Sequence, residues 1–341
     1  MQMDSRFISQ IRGAIDDKTK PRGALGRLEA LAAQLCQIQQ TLSPSLTDPT
    51  ILVFAADHAH GVVSAYPREV TAQMALNVLA GGAAINVFSR QHGIEVMLVD
   101  SGVDWPGDKP RGMVDCWMGP GTRNMLTGDA MTADELERCL RAGADVVDQV
   151  VAPTCTIMGF GELGIGNTSS ASLLISALAG IPLEDCVGPG TGLVGEGLSR
   201  KLNRLCQVQM RHPRPSNARE ALAMFGGFEI AQMCAAMRRG FETGRILMID
   251  GFVATAAFLA VWSENPLIMG NAIFCHESGE PGHAAVLERL GAKPLLRLGM
   301  RLGEGTGCAV AYPIITSAAA FLNEMASFSQ AGVSTGGPEN A

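Results

Sequence analysis

The sequence predicts an α/β fold built on a mostly parallel sheet with helices on both faces, plus a small helical domain from the chain ends. Three observations carry this. Short apolar runs rich in β-branched residues recur along the middle of the chain, each closed by a polar residue. Segments with helical spacing and helical start signals separate them. Apolar residues reach 47% while charged residues stay at 17%, enough to build a large buried core.

Taken in order, the runs are Ile51–Ala56 before Asp57, Val96–Val99 before Asp100, Cys155–Phe160 before Glu162, Ile246–Ile249 before Asp250, and Ala272–Cys275 before His276. Continuous apolar runs of this length suit strands buried on both faces. Among the intervening segments, Thr132-Ala-Asp-Glu135 has the capping-box pattern, in which the threonine oxygen and the glutamate satisfy free amides, and it predicts a helix to about Val151. Val70–Gln91 and Ala221–Arg239 are read as further helices, each weakened by a glycine pair, Gly81-Gly82 and Gly226-Gly227. Alternation of this kind gives a Rossmann-like sheet whose ligands gather at the carboxyl ends of the strands. The polar residues that close the runs are therefore expected in one shared site. The division expected is 1–42 and 306–341 as the two parts of the small domain, with 43–305 as the catalytic α/β domain.

Composition also excludes classes. The net charge of −7 has no long basic or acidic run behind it, which argues against a nucleic-acid partner. Nine cysteines with no CxxC pair read as reduced thiols in a reducing compartment, so a cytoplasmic setting is expected. Residues 1–20 carry Asp4, Arg6, Arg12, Asp16 and Asp17 and no apolar stretch of signal-peptide kind. The longest apolar runs, Phe252–Trp262 and a Pro313-interrupted stretch from Cys308 to Leu322, are read as too short or too broken to span a membrane.

Three segments carry chemistry. In Met158-Gly-Phe-Gly-Glu-Leu-Gly-Ile-Gly-Asn-Thr-Ser-Ser170 a strand feeds a glycine loop, and Asn167 or Thr168 is placed to cap a helix running to about Ala179. Backbone amides at such a helix start, with Gly164 and Gly166 beside them, suit a phosphate. The same segment satisfies G-x-G-x-x-G through Gly159, Gly161 and Gly164, with Glu184 twenty residues on, so a dinucleotide-dependent oxidoreductase is a rival reading. Against it, Glu184 follows Gly180 and Pro182 in what reads as a turn, and Glu162 would oppose a pyrophosphate. Val187-Gly-Pro-Gly-Thr-Gly-Leu-Val-Gly195, with Lys201 after it, suits a phosphate or carboxylate. Leu302-Gly-Glu-Gly-Thr-Gly307, after a strand-like Leu295–Leu298, sets Glu304 between glycines, where partial burial would raise its pKa toward that of a useful base. Asp57-His58-Ala59-His60 and His276-Glu277 to His283 fit no familiar metal-ligand spacing, and no metal or other cofactor is expected.

Together with Glu69-Val-Thr-Ala-Gln-Met74, Gly81-Gly-Ala-Ala-Ile-Asn86, Val63-Ser-Ala-Tyr-Pro67, Ile249-Asp-Gly251 and Glu280-Pro-Gly-His283, these motifs resemble the nicotinate-nucleotide-dimethylbenzimidazole phosphoribosyltransferases, across most of residues 10–330. The resemblance implies a homodimeric enzyme that moves the ribose phosphate of nicotinate mononucleotide onto a benzimidazole-type base. It implies Glu304 as the base and Glu162 as a second active-site acid that stabilises charge on the ribose. It places the nucleotide at Gly164, Gly166, Asn167, Thr168, Gly192, Lys201, Asp250 and Ser278, and the aromatic base at Ser64, Tyr66, Gln73 and Leu302. A catalytically silent nucleotide-binding paralogue is the other alternative. The loop 59–62 is shorter than is common in the family, and Glu277 replaces a different residue in many members.

Overall fold

The computed structural model describes residues 5–59 and 64–334. The chain divides into two compact units, one formed by Met1–Thr47 with Tyr312–Ala341 and the other by Asp48–Ala311. These boundaries lie five to six residues beyond those read from the sequence at 42/43 and 305/306.

The larger unit is built on six strands: β1 (Thr50–Ala56), β2 (Glu95–Gly102), β3 (Val114–Asp115), β4 (Ile157–Leu163), β5 (Ile246–Ile249) and β6 (Ala272–Phe274). Their order is β3-β2-β1-β4-β5-β6 and every pairing is parallel. All seven residues of β1 are buried, which is why the central strand reads as an unbroken apolar run. The helix Phe228–Glu242 lies across β1, β2, β4 and β5, and Ala133–Asp145 packs on it. Close fit there is absolute: a Cβ on Gly143 would stand 2.0 Å from the Gln232 carbonyl oxygen. At the other side of the strands Cys308, near the start of the helix Thr306–Glu324, donates its thiol to the Met248 carbonyl at 3.3 Å.

Strand order turns at β1 and β4, since the chain runs outward from β1 through β2 in one direction and from β4 through β5 in the other. The carboxyl ends of those two neighbours form the crevice at which ligands bind in sheets of this class. Their exits nearly touch, and only a glycine at 164 clears the Ala56 carbonyl, 2.3 Å from where its Cβ would be.

The smaller unit holds the helices Ser5–Asp16, Arg27–Gln39 and Phe328–Ala331. Its own core is Ile11, Ile15, Ala32, Cys36 and Leu322, with Phe7 and Phe321 against it. Lys18 pairs with Ser327 in an antiparallel bridge and its ammonium caps the Met325 carbonyl at 2.7 Å.

Several expectations are corrected. The glycine pairs end helices rather than weaken them: Val70–Leu79 and Ala84–Gln91 are separate, as are Ala218–Phe225 and Phe228–Glu242. Gly81 has φ of 77°, a left-handed conformation that glycine adopts without strain, and the Glu229 carboxyl fills the space a Cβ on Gly227 would need. Pro313 does not interrupt its helix, which runs from Thr306 to Glu324. By length and composition 70–91 and 306–324 could each cross a membrane; the first is in fact the two short helices just named. Leu295–Leu298 is no strand, although Leu296 bridges His276. The cap of the helix Asn167–Ala179 is Gly166, with φ of 101°, and Asn167 is its first residue. All nine cysteines are free, seven of them buried.

Candidate active site

Above the β1–β4 crevice lies a cavity of about 460 Å³, within the usual range for small-molecule sites. One part of its wall is apolar, with Tyr66, Val70, Met74, Ile165, Phe252 and Leu302; the other carries Glu162, Asn167, Thr168, Ser278, Glu280, Arg301 and Glu304.

Glu304 is the most constrained of these. It has φ of 62°, between Gly303 at 83° and Gly305 at 82°, so a side chain has been forced into a turn that favours glycine. Asp250, at the exit of β5, holds the turn: one carboxylate oxygen accepts from the Gly305 amide at 3.1 Å, the other from the Gly307 amide at 2.7 Å. The Glu304 amide donates to the Glu162 carbonyl at 3.2 Å, tying the turn to β4. A Cβ at Gly161 would meet the Gly305 nitrogen at 2.4 Å, which is why β4 has no side chain there. The Glu304 side chain is 3% exposed, and its Oε2 has no hydrogen-bond partner among the described residues. Burial raises its pKa and Asp250 adds to this, against the Ile85 amide at the start of the helix Ala84–Gln91. A buried carboxylate with a raised pKa and one oxygen without a partner is chemically suited to accept a proton.

Glu162 lies in β4 itself, not in the glycine loop after it. Burial pushes its pKa up to about 8, with Asp250, Glu229 and Glu304 adding repulsion and the Asn167 amide pulling back. That shift favours the protonated form near neutral pH, whereas only the ionised form could stabilise charge on a ribose.

Of the residues expected around a ligand, Gly164, Asn167, Thr168, Ser278, Tyr66, Leu302, Glu162 and Glu304 line the cavity. The others stand behind it or beside it. Gly166 starts the helix under the loop, and Asp250 acts through the turn it holds. Lys201, 2% exposed, donates to Thr168 Oγ1 at 3.0 Å and to the Gly188 carbonyl at 2.9 Å, and so reaches the cavity through Thr168. Gly192 follows Thr191, a lining residue whose hydroxyl meets that of Ser64 at 3.0 Å. Gln73 is exposed on Val70–Leu79, while its neighbours Thr71 and Met74 face the cavity.

Residues 60–63 lie outside the described residues, and with them His60 and most of the short loop 59–62. Not every strand-end polar residue joins the cavity. Asp57 accepts the Asp104 amide at 2.9 Å, and Asp100 accepts Trp105 Nε1 at 2.9 Å and pairs with Lys109. His58 is bound by Glu229 at 2.8 Å with both side chains fully buried. The sequence reading missed Glu280, Arg301 and Thr191 as cavity residues. Glu280 and Thr191 lay inside quoted motifs, but the groups they meet are far away in sequence. The rival dinucleotide reading fails on geometry, because Gly159 and Gly161 are strand residues and Glu184 sits in the single-turn helix Leu183–Cys186 rather than at a strand end. Among the described residues no group of three or more His, Cys, Asp or Glu is placed to hold a metal ion.

A parallel sheet with a helix start and buried carboxylates around one cavity at its switch point is the arrangement of an α/β enzyme that binds a small molecule. The chain belongs to the phosphoribosyltransferase family whose profile matches residues 1–333. It is 52% identical to the nicotinate-nucleotide-dimethylbenzimidazole phosphoribosyltransferase of Cupriavidus taiwanensis, over 98% of each chain. With the protein of that name from Phocaeicola vulgatus it shares 44% identity over 95% of each. The crystal structure of CobT from Thermus thermophilus superposes with a TM-score of 0.92 at 41% identity, covering 97% of this chain and all of that one.

Proposed function

We propose that this enzyme transfers the phosphoribosyl group of nicotinate mononucleotide to 5,6-dimethylbenzimidazole or a related base, giving α-ribazole phosphate and nicotinate, in the making of the cobalamin lower ligand. The observation that carries this reading is the Glu304 carboxylate, buried at the cavity with a free oxygen on a turn clamped by Asp250.

One benzimidazole nitrogen attacks the ribose anomeric carbon while the other gives its proton to Glu304. The bond to the pyridinium breaks, its electrons neutralise the pyridinium nitrogen, and the configuration inverts from β to α. The departing ring nitrogen leaves neutral and needs no cation to stabilise it. Glu162, in its ionised form beside the pyridinium–ribose bond, stabilises the positive charge that grows on the ribose. Thr168, Ser278 and the start of Asn167–Ala179, backed by Lys201, hold the phosphate. The apolar wall around Tyr66, Met74 and Leu302 takes the aromatic base.

The enzyme works as a soluble cytoplasmic homodimer in this reading. The exposure of Leu76 and Val87, 48% each, on the apolar segment 70–91 supports association through that face; sedimentation of the purified chain tests it. The activity is tested by mixing the protein with nicotinate mononucleotide and dimethylbenzimidazole in EDTA and following free nicotinate. Release that requires both substrates is the expected result. Silence would leave a nucleotide-binding paralogue, a requirement for NAD(H) the oxidoreductase, and rescue by Mg²⁺ or Zn²⁺ a different mechanism.

A further inference from the structure

The cavity holds one more acid than the transfer uses. Glu280 is 5% exposed, lines the cavity, and stands at the cap position of the helix Pro281–Leu290 without capping it. Its Oε2 has no hydrogen-bond partner among the described residues. Burial pushes its pKa up, while Lys201, Arg301 and the Gly190 amide pull it down. The side chain is packed so closely that a Cβ on Gly188 would fall 2.0 Å from Oε2. Arg301 Nη1 donates to the Gly190 carbonyl at 2.9 Å and Lys201 to the Gly188 carbonyl. One carboxylate and two cations thus converge on Gly188 and Gly190 of the second glycine loop, from the start of Pro281–Leu290, the helix Glu196–Arg211 and the loop before Glu304.

That is the equipment of a phosphate site with an acid already in it. We propose that the Glu280 carboxylate is an internal stand-in for the ligand's phosphate, answering the charge of Lys201 and Arg301 in the free protein and competing with any phosphate that comes to use them. The inference rests on reading the cavity as a mononucleotide site. Two cations beside a low-dielectric cavity need an anion at all times, which Glu280 supplies before the nucleotide does. When the phosphate arrives, the two anions repel, and its grip is weaker than Lys201 and Arg301 alone would give. Substrate and product carry the same phosphate, so the weakening falls on both alike and favours release of the product. A nucleoside lacking phosphate has nothing to contest with Glu280.

The alternative is that Glu280 only props Lys201 and the loop, and it predicts the opposite sign. The test is calorimetric titration of full-length wild type and Glu280→Gln with nicotinate mononucleotide, nicotinate riboside and inorganic phosphate, beside thermal melting. Glu280→Gln should bind the mononucleotide and inorganic phosphate roughly tenfold more tightly, from lost like-charge repulsion, with riboside affinity unchanged. Equal or weaker phosphate affinity in a variant that melts like wild type overturns the proposal, as does an equal gain for the riboside. Should Glu280→Gln not fold, Glu280→Ala carries the same expectation. Wild type that neither binds the mononucleotide nor releases nicotinate would sink the reading of the site, whereas normal turnover without tightening would sink the role of Glu280 alone.

Discussion

Replacing Glu304 by glutamine tests the assignment of the base most directly. The amide has the shape of the acid, so the left-handed turn at φ of 62° and the two amide bonds to Asp250 are kept. It can still accept the Ile85 amide, and it removes a charge that burial and Asp250 already oppose. Stability should therefore change little. What is lost is the ability to take the benzimidazole proton at neutral pH. A positioned general base is worth roughly 10²- to 10⁴-fold, which at 1.36 kcal/mol per tenfold is about 3 to 5 kcal/mol of barrier. The loss should fall on kcat, measured as nicotinate released per second under saturation, with KM for each substrate within about twofold because ground-state contacts are untouched. Circular dichroism and a melting curve secure the fold. A well-folded Glu304→Gln enzyme that keeps more than half its turnover would refute the reasoning and pass the role to Glu162 or water.

Three more expectations follow from the geometry. Gly161→Ala puts a methyl 2.4 Å from the Gly305 nitrogen and 2.5 Å from the Glu304 carbonyl carbon; overpacking should cost about 1 to 3 kcal/mol or more, with kcat down at least about tenfold as the base shifts, and wild-type kcat and melting would contradict the clamp. Lys201→Ala should raise KM for the nucleotide by about 10- to 100-fold, the worth of a charge-assisted contact, with kcat much less affected; an unchanged KM would remove it from the site. Glu162, pushed up to about 8 from an ordinary 4.5, should release a proton when the pyridinium nucleotide binds at pH 7, fading above pH 9, as read by calorimetry in buffers of different ionisation enthalpy. The same shift means the folded protein holds that proton where the unfolded chain does not, so its contribution to stability declines as pH rises from 4.5 to 8; proton release that persists in Glu162→Gln would assign it elsewhere.

The strands were legible because burial on both faces leaves a continuous apolar signature, as in Thr50–Ala56. Val114–Asp115 was not, since a two-residue edge strand has no pattern to read. Gly226-Gly227 read as a weak point inside one helix because helical spacing runs on across it, whereas the chain ends one helix at Phe225 and starts the next at Phe228. In the cavity, the glycine-flanked Glu304 stood out because its neighbours in sequence make its turn. Glu280, by contrast, feels the charge of Lys201 across 79 positions of sequence, and only the fold brings both beside Gly188. The long-range clamp of Asp250 on residues 305 and 307 was hidden for the same reason.

The three left-handed residues 303–305 set a limit on how this protein can be improved. A non-glycine residue in that conformation costs about 1 to 2 kcal/mol, so a library screened for heat resistance alone should enrich Glu304→Gly, a change that relaxes the backbone and deletes the proposed base together. Stabilising campaigns on this fold gain more safely at surface positions such as exposed helix faces, with residues 303–305 and Asp250 held fixed, because here thermal robustness and turnover are selected in opposite directions at one residue.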